Sequence, residues 1–343
     1  MIAFCSDAAL LLAYTTVSAL LVGVYRWLAL RYRWLDTPNQ RSSHVAITPR
    51  GAGVIFALLI IGAAAVLLHS QRAFFYPLLA GLAVASVGWW DDMRGASARA
   101  RFALYAVSAA AAVALIFTHQ TAVLPRGFAI AVPLVYGAMA TLGLLWLINL
   151  YNFMDGINGI AATEALFVLL AIGVFANGTP YAQTFASVHL FSAAAISGFL
   201  LWNFPAGKVF MGDAGSAFLG FFLGALMLWS ALMQGPPLAV WLILLGVFIV
   251  DSGYTLLVRI ATGQPWYAAH RLHAYQLLTT RLRDSHARTV GVLMAVNLCW
   301  LWPMAWLVQS QRVHALWGLG LAYLPLIAAC NRLKAGIPAR GRV

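Results

Sequence analysis

Asn149-Leu-Tyr-Asn-Phe-Met-Asp-Gly-Ile-Asn-Gly-Ile-Ala161 is the stretch from which the fold of this chain is read. An apolar run ends where it begins, and another starts where it ends. Within it Asn149, Asn152 and Asp155 recur every third residue, which on a helix makes one narrow polar stripe. Gly156 and Gly159 follow, so the backbone can turn sharply or let a ligand come close. Helix ends commonly collect Asn, Asp and Gly. The stripe therefore gains chemical meaning only if other segments bring matching groups to the same side of the molecule.

Outward from this turn the chain is very apolar. Hydrophobic residues make up 63% of its 343 and charged residues only 9%. A polytopic membrane protein needs that much apolar surface and a soluble domain does not. Residues 1–24 lack a basic n-region, and Arg26, Arg31 and Arg33 follow the first apolar run. This fits an uncleaved first span with its N-terminus outside, rather than a removed signal peptide. Cys5, Cys299 and Cys330 lie in or beside apolar runs without metal-like spacing, so no disulfide framework is expected. The net charge of +12 does not imply nucleic acid. The basic residues sit in loops beside spans, where they set orientation and meet anionic lipid or phosphate.

Eleven segments are apolar and long: 4–25, 51–69, 74–90, 102–118, 131–149, 159–176, 185–202, 216–233, 238–258, 289–309 and 313–331. With the N-terminus outside, all of the 21 Lys and Arg except Arg72, Arg126 and Arg312 fall on the cytoplasmic side, as the positive-inside rule requires. The expected fold is an all-α polytopic integral membrane protein with about eleven transmembrane helices and a cytoplasmic C-terminus. It forms a single domain over 1–343, with its active site in cytoplasmic loops. No internal repeat is evident, which disfavours a transporter.

Six of the nine acids (Asp36, Asp91, Asp92, Asp155, Asp213 and Asp284) fall in or beside the cytoplasmic connections. In the first loop, Thr48-Pro-Arg-Gly-Ala-Gly53 reads either as a plain capped helix entry with a positive-inside arginine or as a helix start with exposed N–H groups beside Arg50, a phosphate cradle. In the second, Asp91 and Asp92 end an apolar helix. Adjacent carboxylates near a membrane are costly unless a cation intervenes, and Mg²⁺ bound to phosphate is one such cation. The fourth loop carries Lys208, Phe210 and Gly212-Asp213-Ala-Gly-Ser216. Asp213 either caps the next helix or approaches a metal–phosphate group, and Phe210 offers a face to a base. The fifth carries His270-Arg-Leu-His273, too sparse for zinc but suited to phosphate oxygens. His69, His119, His189, His286 and His314 lack such neighbours and read as interfacial or structural. Asp251 and Glu164 lie inside apolar segments, each a functional group or a structural polar pair.

Four aspartates with Arg, Lys, His and Gly-rich turns on one membrane face suit Mg²⁺-dependent phosphoryl transfer, which is mostly positioning and charge neutralisation. A lipid phosphate and a soluble phosphate donor are then the expected substrates. The alternative is a transporter using intramembrane carboxylates. It would want acids deep in spans, and only Asp251 and Glu164 qualify.

The loops, in order, resemble the polyprenyl-phosphate N-acetylhexosamine-1-phosphate transferases, the family that includes phospho-N-acetylmuramoyl-pentapeptide transferase. The resemblance rests on Thr48-Pro-Arg-Gly, Asp91-Asp92-Met-Arg-Gly95, Asn149-x-x-Asn152-x-x-Asp155-Gly156, Phe210-Met-Gly-Asp213-x-Gly215-Ser216 and His270-Arg-x-His273-Ala-Tyr-Gln276. It covers essentially the whole chain. The last motif looks closest to the branch that initiates O-antigen, hence lipopolysaccharide. The resemblance implies attack by undecaprenyl phosphate on a UDP-N-acetylhexosamine, with UMP released, in the inner membrane of a bacterium and by a homodimer. It implies Mg²⁺, replaceable by Mn²⁺, held chiefly by Asp213 with Asp155 and Asp92. Asp91 and Asp92 would handle the lipid phosphate, one of them a candidate base. Asn149, Asn152 and Asp155 would line the diphosphate region, and Phe210 would stack on uracil near Asn203. His270, Arg271 and His273 would contact the donor's phosphates or sugar, the two histidines as catalytic candidates, and Arg50 and Lys208 are further substrate-binding candidates. Asn158 stands where many members have a second aspartate, so a hydrogen bond to uracil is the role it retains.

Overall fold

A computed structural model describes residues 2–38, 46–118, 131–265, 267–268 and 270–338. Arg126 and His119 lie outside these residues. The first helix, α1 (Ile2–Tyr32), leads into a two-stranded antiparallel ladder. In it β1 (Leu35–Asp36) pairs with β2 (Thr48–Pro49), Leu35 opposite Pro49 and Asp36 opposite Thr48. Helices α2 (Gly53–Leu67), α3 (Arg72–Arg94), α4 (Ala98–Thr118), α5 (Ala131–Met154) and α6 (Ile160–Phe175) follow. After them come α7 (Pro180–Asn203), α8 (Gly212–Leu232), α9 (Leu238–Leu244), α10 (Gly246–Ala261) and the short α11 (Ala274–Arg281). A final pair of runs comprises α12 (His286–Val296), a π-helical turn at Asn297–Leu301, α13 (Trp302–Gln309) and α14 (Ala315–Leu333).

Each of the eleven apolar segments is helical, but they are not equivalent. Among the described residues eight helices are long and apolar enough to cross a membrane, with α12 to α13 counted as one. A ninth exists if α9 and α10, which meet at 76°, form one broken span. The other two, α2 and α6, have 15 and 16 residues. At about 1.5 Å per residue they fall short of a hydrocarbon core of about 30 Å. Apolar composition alone does not separate a short helix packed inside the bundle from a full crossing.

The centre of the bundle is α8. It is apolar all round, as a helix enclosed by neighbours must be, and it packs on α2, α3, α4 and α5. Lipid is as apolar as Leu, so close helix contact here depends on small residues rather than on hydrophobic burial. Gly53 of α2 and Gly88 of α3 supply that contact at the N-terminal end of α8. A Cβ on Gly53 would lie 2.3 Å from the Gly215 Cα, and one on Gly88 would lie 2.5 Å from the Asp213 carbonyl.

Thr48-Pro49 is strand rather than helix start, and α2 opens only at Gly53. The N–H groups expected to cradle phosphate are already used. Ala52 N donates to Phe210 O at 3.1 Å and Gly53 N to Met211 O at 2.9 Å, while Phe210 N returns a bond to Pro49 O at 2.8 Å. These bonds splice the first loop to the fourth. The two intramembrane acids also find partners. Glu164 on α6 accepts a 2.6 Å bond from Asn297 Nδ2, and both are buried. A polar side chain thus meets the π-helical turn, a common site for such irregularity.

Candidate active site

Asp92, near the end of α3, has a fully buried side chain. Its Oδ1 accepts from Asp213 N at 3.0 Å and its Oδ2 from Ala214 N at 3.1 Å. Asp92 therefore caps α8, offering a carboxylate where the helix dipole and unpaired N–H groups favour one. Asp213, the first acid of α8, is thereby held by a neighbour and does not cap its own helix. Gly212 has φ +72°, and a Cβ there would lie 2.2 Å from Asp92 Oδ2, so the cap requires glycine at this position.

Two arginines knit these acids together. Arg50 Nε meets Asp92 Oδ1 at 2.7 Å and its Nη2 meets Asp213 Oδ1 at 2.7 Å. Arg101, on α4, bridges Asp91 Oδ2 and Asp213 Oδ2 through Nη1. Ala96 N donates to the other Asp91 oxygen at 2.6 Å. Asp92 and Asp213 hold the Arg50 guanidinium firmly charged, against the effect of burial.

Beside this network opens a cavity of about 220 Å³. Asp213, Arg50 and Ser216 form one part of its wall, and Asn152, Asp155 and Asn158 form another. Asn203, Phe210, Asp36, Gln276 and His286 complete the polar and aromatic lining. Asn152 donates to Ser216 Oγ at 3.2 Å, which links the opening stripe to α8. Asp155 keeps a partly exposed edge on the cavity and is otherwise enclosed by protein. Burial first, and the charge of Asp213 second, push its pKa up to about 7, with Arg50 opposing. Asn158 donates from its backbone to His286 Nδ1 at 3.3 Å and from its side chain to Pro205 O at 3.2 Å.

The expected residues divide between cavity and scaffold. Arg50, Asn152, Asp155, Asn158, Asn203, Phe210 and Asp213 reach the cavity. Asn203 also spends its amide inside the protein, accepting from Gly159 N at 2.7 Å and donating to Val209 O at 2.9 Å. Asn149 turns back onto its own helix, donating to Leu145 O at 2.7 Å. Lys208 lies over the Trp202 ring, 5.9 Å from its centroid. Neither lines the cavity, nor do Asp91 and Asp92, which brace it from behind.

The histidine segment is arranged differently from the expectation. His273 is buried against Asp251, with Nδ1 3.2 Å from Oδ1. His270 stacks near it, ring centroids 4.8 Å apart, and accepts from Leu272 N at 3.2 Å. Burial, then the nearby His273 and Arg259, lower its pKa to about 4, so it is neutral at physiological pH. Arg271 is exposed. None of the three lines the cavity, and Gln276 represents this segment there.

Arg101, Gln276, His286, Asp36 and Ser216 are the residues that spacing did not single out for the site. Asp91-Asp92 did signal a need for cations, but nothing local pointed to an arginine on the next helix. His286 stands alone in sequence and faces Asn158 only because α12 packs beside that turn. His189, by contrast, is the structural histidine expected. It is held by Tyr181 Oη at 2.7 Å and by Leu169 O at 3.1 Å.

Comparison with known proteins identifies the family. The model of glycosyl transferase family 4 matches residues 74–231, which include Asp91, Asp92, Asn152, Asp155 and Asp213. A decaprenyl-phosphate N-acetylglucosaminephosphotransferase of Mycolicibacterium smegmatis is 32% identical over 82% of this chain and 75% of its own. A probable undecaprenyl-phosphate N-acetylglucosaminyl 1-phosphate transferase of Bacillus subtilis is 28% identical over 80% and 77%. A phospho-N-acetylmuramoyl-pentapeptide-transferase of Thermosynechococcus vestitus is 30% identical over 60% and 57%. These relatives leave the transporter alternative without support. A bundle of apolar helices, an acid–arginine network beside a polar cavity and relatives of this kind lead to one assignment: the chain is a multi-pass membrane protein and belongs to glycosyl transferase family 4, with the polyprenyl-phosphate N-acetylhexosamine-1-phosphate transferases.

Proposed function

We propose that this chain, as one catalytic domain, transfers an N-acetylhexosamine 1-phosphate from a UDP-sugar to undecaprenyl phosphate and releases UMP. The observation that carries this reading is the convergence of Arg50, Asp92, Arg101 and Asp213 from four separate segments beside one cavity. A phosphate oxygen of the lipid forms a bond to the sugar-linked phosphorus. The bond from that phosphorus to the bridging oxygen breaks, and its electron pair leaves with UMP.

The residues support this chemistry by position. Two arginines face five carboxylates, those of Asp36, Asp91, Asp92, Asp155 and Asp213, so the site carries three net negative charges when all five acids ionise. That excess suits a divalent cation. Among the described residues there is no ready cluster of three acid, His or Cys ligands. Mg²⁺ does not require one, since it takes one or two carboxylates with phosphate oxygens and water. Asp155 and Asp213, both on the cavity, are the pair that fits. When bound, Mg²⁺ supplies charge neutralisation for the diphosphate. Asp92 fixes Asp213 by capping α8, and Arg101 fixes Asp91 against the same acid. Phe210 offers a ring to uracil, and Asn158 and Asn203 border it with hydrogen-bonding groups.

The acceptor follows the relatives' printed names, the orientation follows the charge pattern, and the homodimer and the O-antigen role follow the resemblance of the loop motifs. The acceptor is a polyprenyl phosphate, the site faces the cytoplasm of a bacterial inner membrane, and the protein works as a homodimer. Starting O-antigen on lipid carrier is the role proposed for its product, with N-acetylfucosamine, N-acetylquinovosamine or N-acetylglucosamine in the donor.

The test is UMP release by purified protein given undecaprenyl phosphate and a panel of UDP-sugars. Release should require both substrates and stop with a chelator. Asp213→Asn should lose about a hundredfold or more in rate, the scale of a lost electrostatic contact at a reacting centre. No UMP from any donor overturns the reading. A fully active Asp213→Asn removes Asp213 from the metal site.

A further inference from the structure

We propose that Asp251, a carboxylate inside the broken α9–α10 span, is a positioning residue that sets the donor-facing wall of the cavity by clamping α11. This rests on the transferase reading above. Asp251 is 4% exposed and lies 22 to 24 residues before the groups it holds. Its Oδ1 accepts from Ala274 N at 2.8 Å and its Oδ2 from Tyr275 N at 2.8 Å. His273 Nδ1 and Thr255 Oγ1, each 3.2 Å from Oδ1, complete its shell.

The first two N–H groups of α11 are thus satisfied by one carboxylate from another helix. They are groups that otherwise lack partners and favour negative charge. His273, at the N-cap position, forms a capping box with Gln276 and turns its Nδ1 onto Asp251. Two bonds to two oxygens fix both the axial position of α11 and its rotation, where a single bond would leave it free to pivot.

What α11 carries explains why that precision matters. Tyr275 leans on the Asp155–Gly156 turn and donates to Phe153 O at 3.4 Å. A Cβ on Gly156 would lie 2.0 Å from the Tyr275 hydroxyl oxygen. The next residue, Gln276, uses Oε1 to accept from His273 N at 3.3 Å. Its amide nitrogen lies 3.4 Å from where that Gly156 Cβ would be. Gln276 lines the cavity on the wall it shares with Asn158 and His286. The membrane-embedded acid therefore acts on the cavity through α11 and touches no substrate.

The test is steady-state kinetics of UMP release with donor and acceptor varied separately. Asp251→Asn keeps the shape but presents an amide to one of the two backbone N–H groups. Its donor KM should rise about tenfold, the scale of one lost hydrogen bond to a charged group, while the polyprenyl phosphate KM stays within about twofold. Gln276→Ala should raise donor KM, and the double variant should be little worse than the poorer single one, since the two act on one feature. Thr255→Val, which removes only the hydroxyl on Oδ1, should shift donor KM the same way by less, and it carries the test if Asp251→Asn does not fold. Additive effects of Asp251→Asn and Gln276→Ala, or an equal rise in both KM values, overturn the proposal. A wild-type protein that releases no UMP defeats the transferase reading instead, so the two failures are distinguishable.

Discussion

Asp155 is the cavity acid whose charge changes near neutral pH. Burial and the charge of Asp213 raise its pKa to about 7 from the usual 3.8. The folded protein therefore holds a proton there that the unfolded chain has released. Between pH 4 and 7 the folded state binds more protons than the unfolded state, so stability falls as pH rises through that window. In metal-free micelles, thermal unfolding of the wild type should drop from pH 5 to pH 7.5. Asp155→Asn should flatten that slope, and an unchanged slope would show that Asp155 is not the group responsible. Mg²⁺ should restore part of the loss at the higher pH, because it favours the ionised carboxylate. Asn158, three residues on, carries no charge to add to this titration.

At the scale of elements, the N-terminal end of α8 is a crossing held by two glycines. Gly88 meets the Asp213 carbonyl and Gly53 meets Gly215, both backbone to backbone. Backbone cannot move aside as a flexible side chain can. Gly88→Ala should therefore destabilise by about 1–3 kcal/mol, as overpacked cores do, and should reduce UMP release by displacing Asp213 from Arg50 and Arg101. Gly62 on α2 is the control, since nothing lies within 4 Å of a Cβ built there. Gly62→Ala should be neutral or slightly stabilising, as in an exposed helix interior. Melting temperature in detergent separates the two variants, and equal behaviour would mean the α3–α8 contact is looser than its geometry.

Taken as a whole, the molecule gathers its chemistry at one end. The C-terminal ends of α3, α5 and α7 and the N-terminal ends of α8, α11 and α12 all border the site. Orientation then follows from charge. Arg94 belongs to the end that carries most of the Lys and Arg, and Arg72 to the opposite end of α3. In a background without Cys5, Cys299 and Cys330, Arg72→Cys should react in intact cells with a membrane-impermeant thiol reagent, and Arg94→Cys only after lysis. The reverse pattern would invert the topology.

Composition, hydropathy and loop spacing were enough to define a helical membrane protein and to mark Arg50, Asn152, Asp155, Phe210 and Asp213, all of which line the cavity. Asn152, Asp155 and Asp213 carry that signal because a polar group beside a long apolar run is expensive unless it has work to do. The roles within the site were decided by tertiary packing. Asp92 caps a helix that begins 120 residues later in the chain, as its contact with Gly212 shows. Arg50 reaches Asp213 across 163 residues, and Arg101 reaches it across 112. Asp251 holds α11 rather than coupling an ion, and α2 and α6 are shorter than the full hydrocarbon thickness. The physical reason is common to all of these. An apolar run or a costly charge announces itself locally, but the partner that satisfies the charge is chosen by which helices pack together, and no local spacing records that choice.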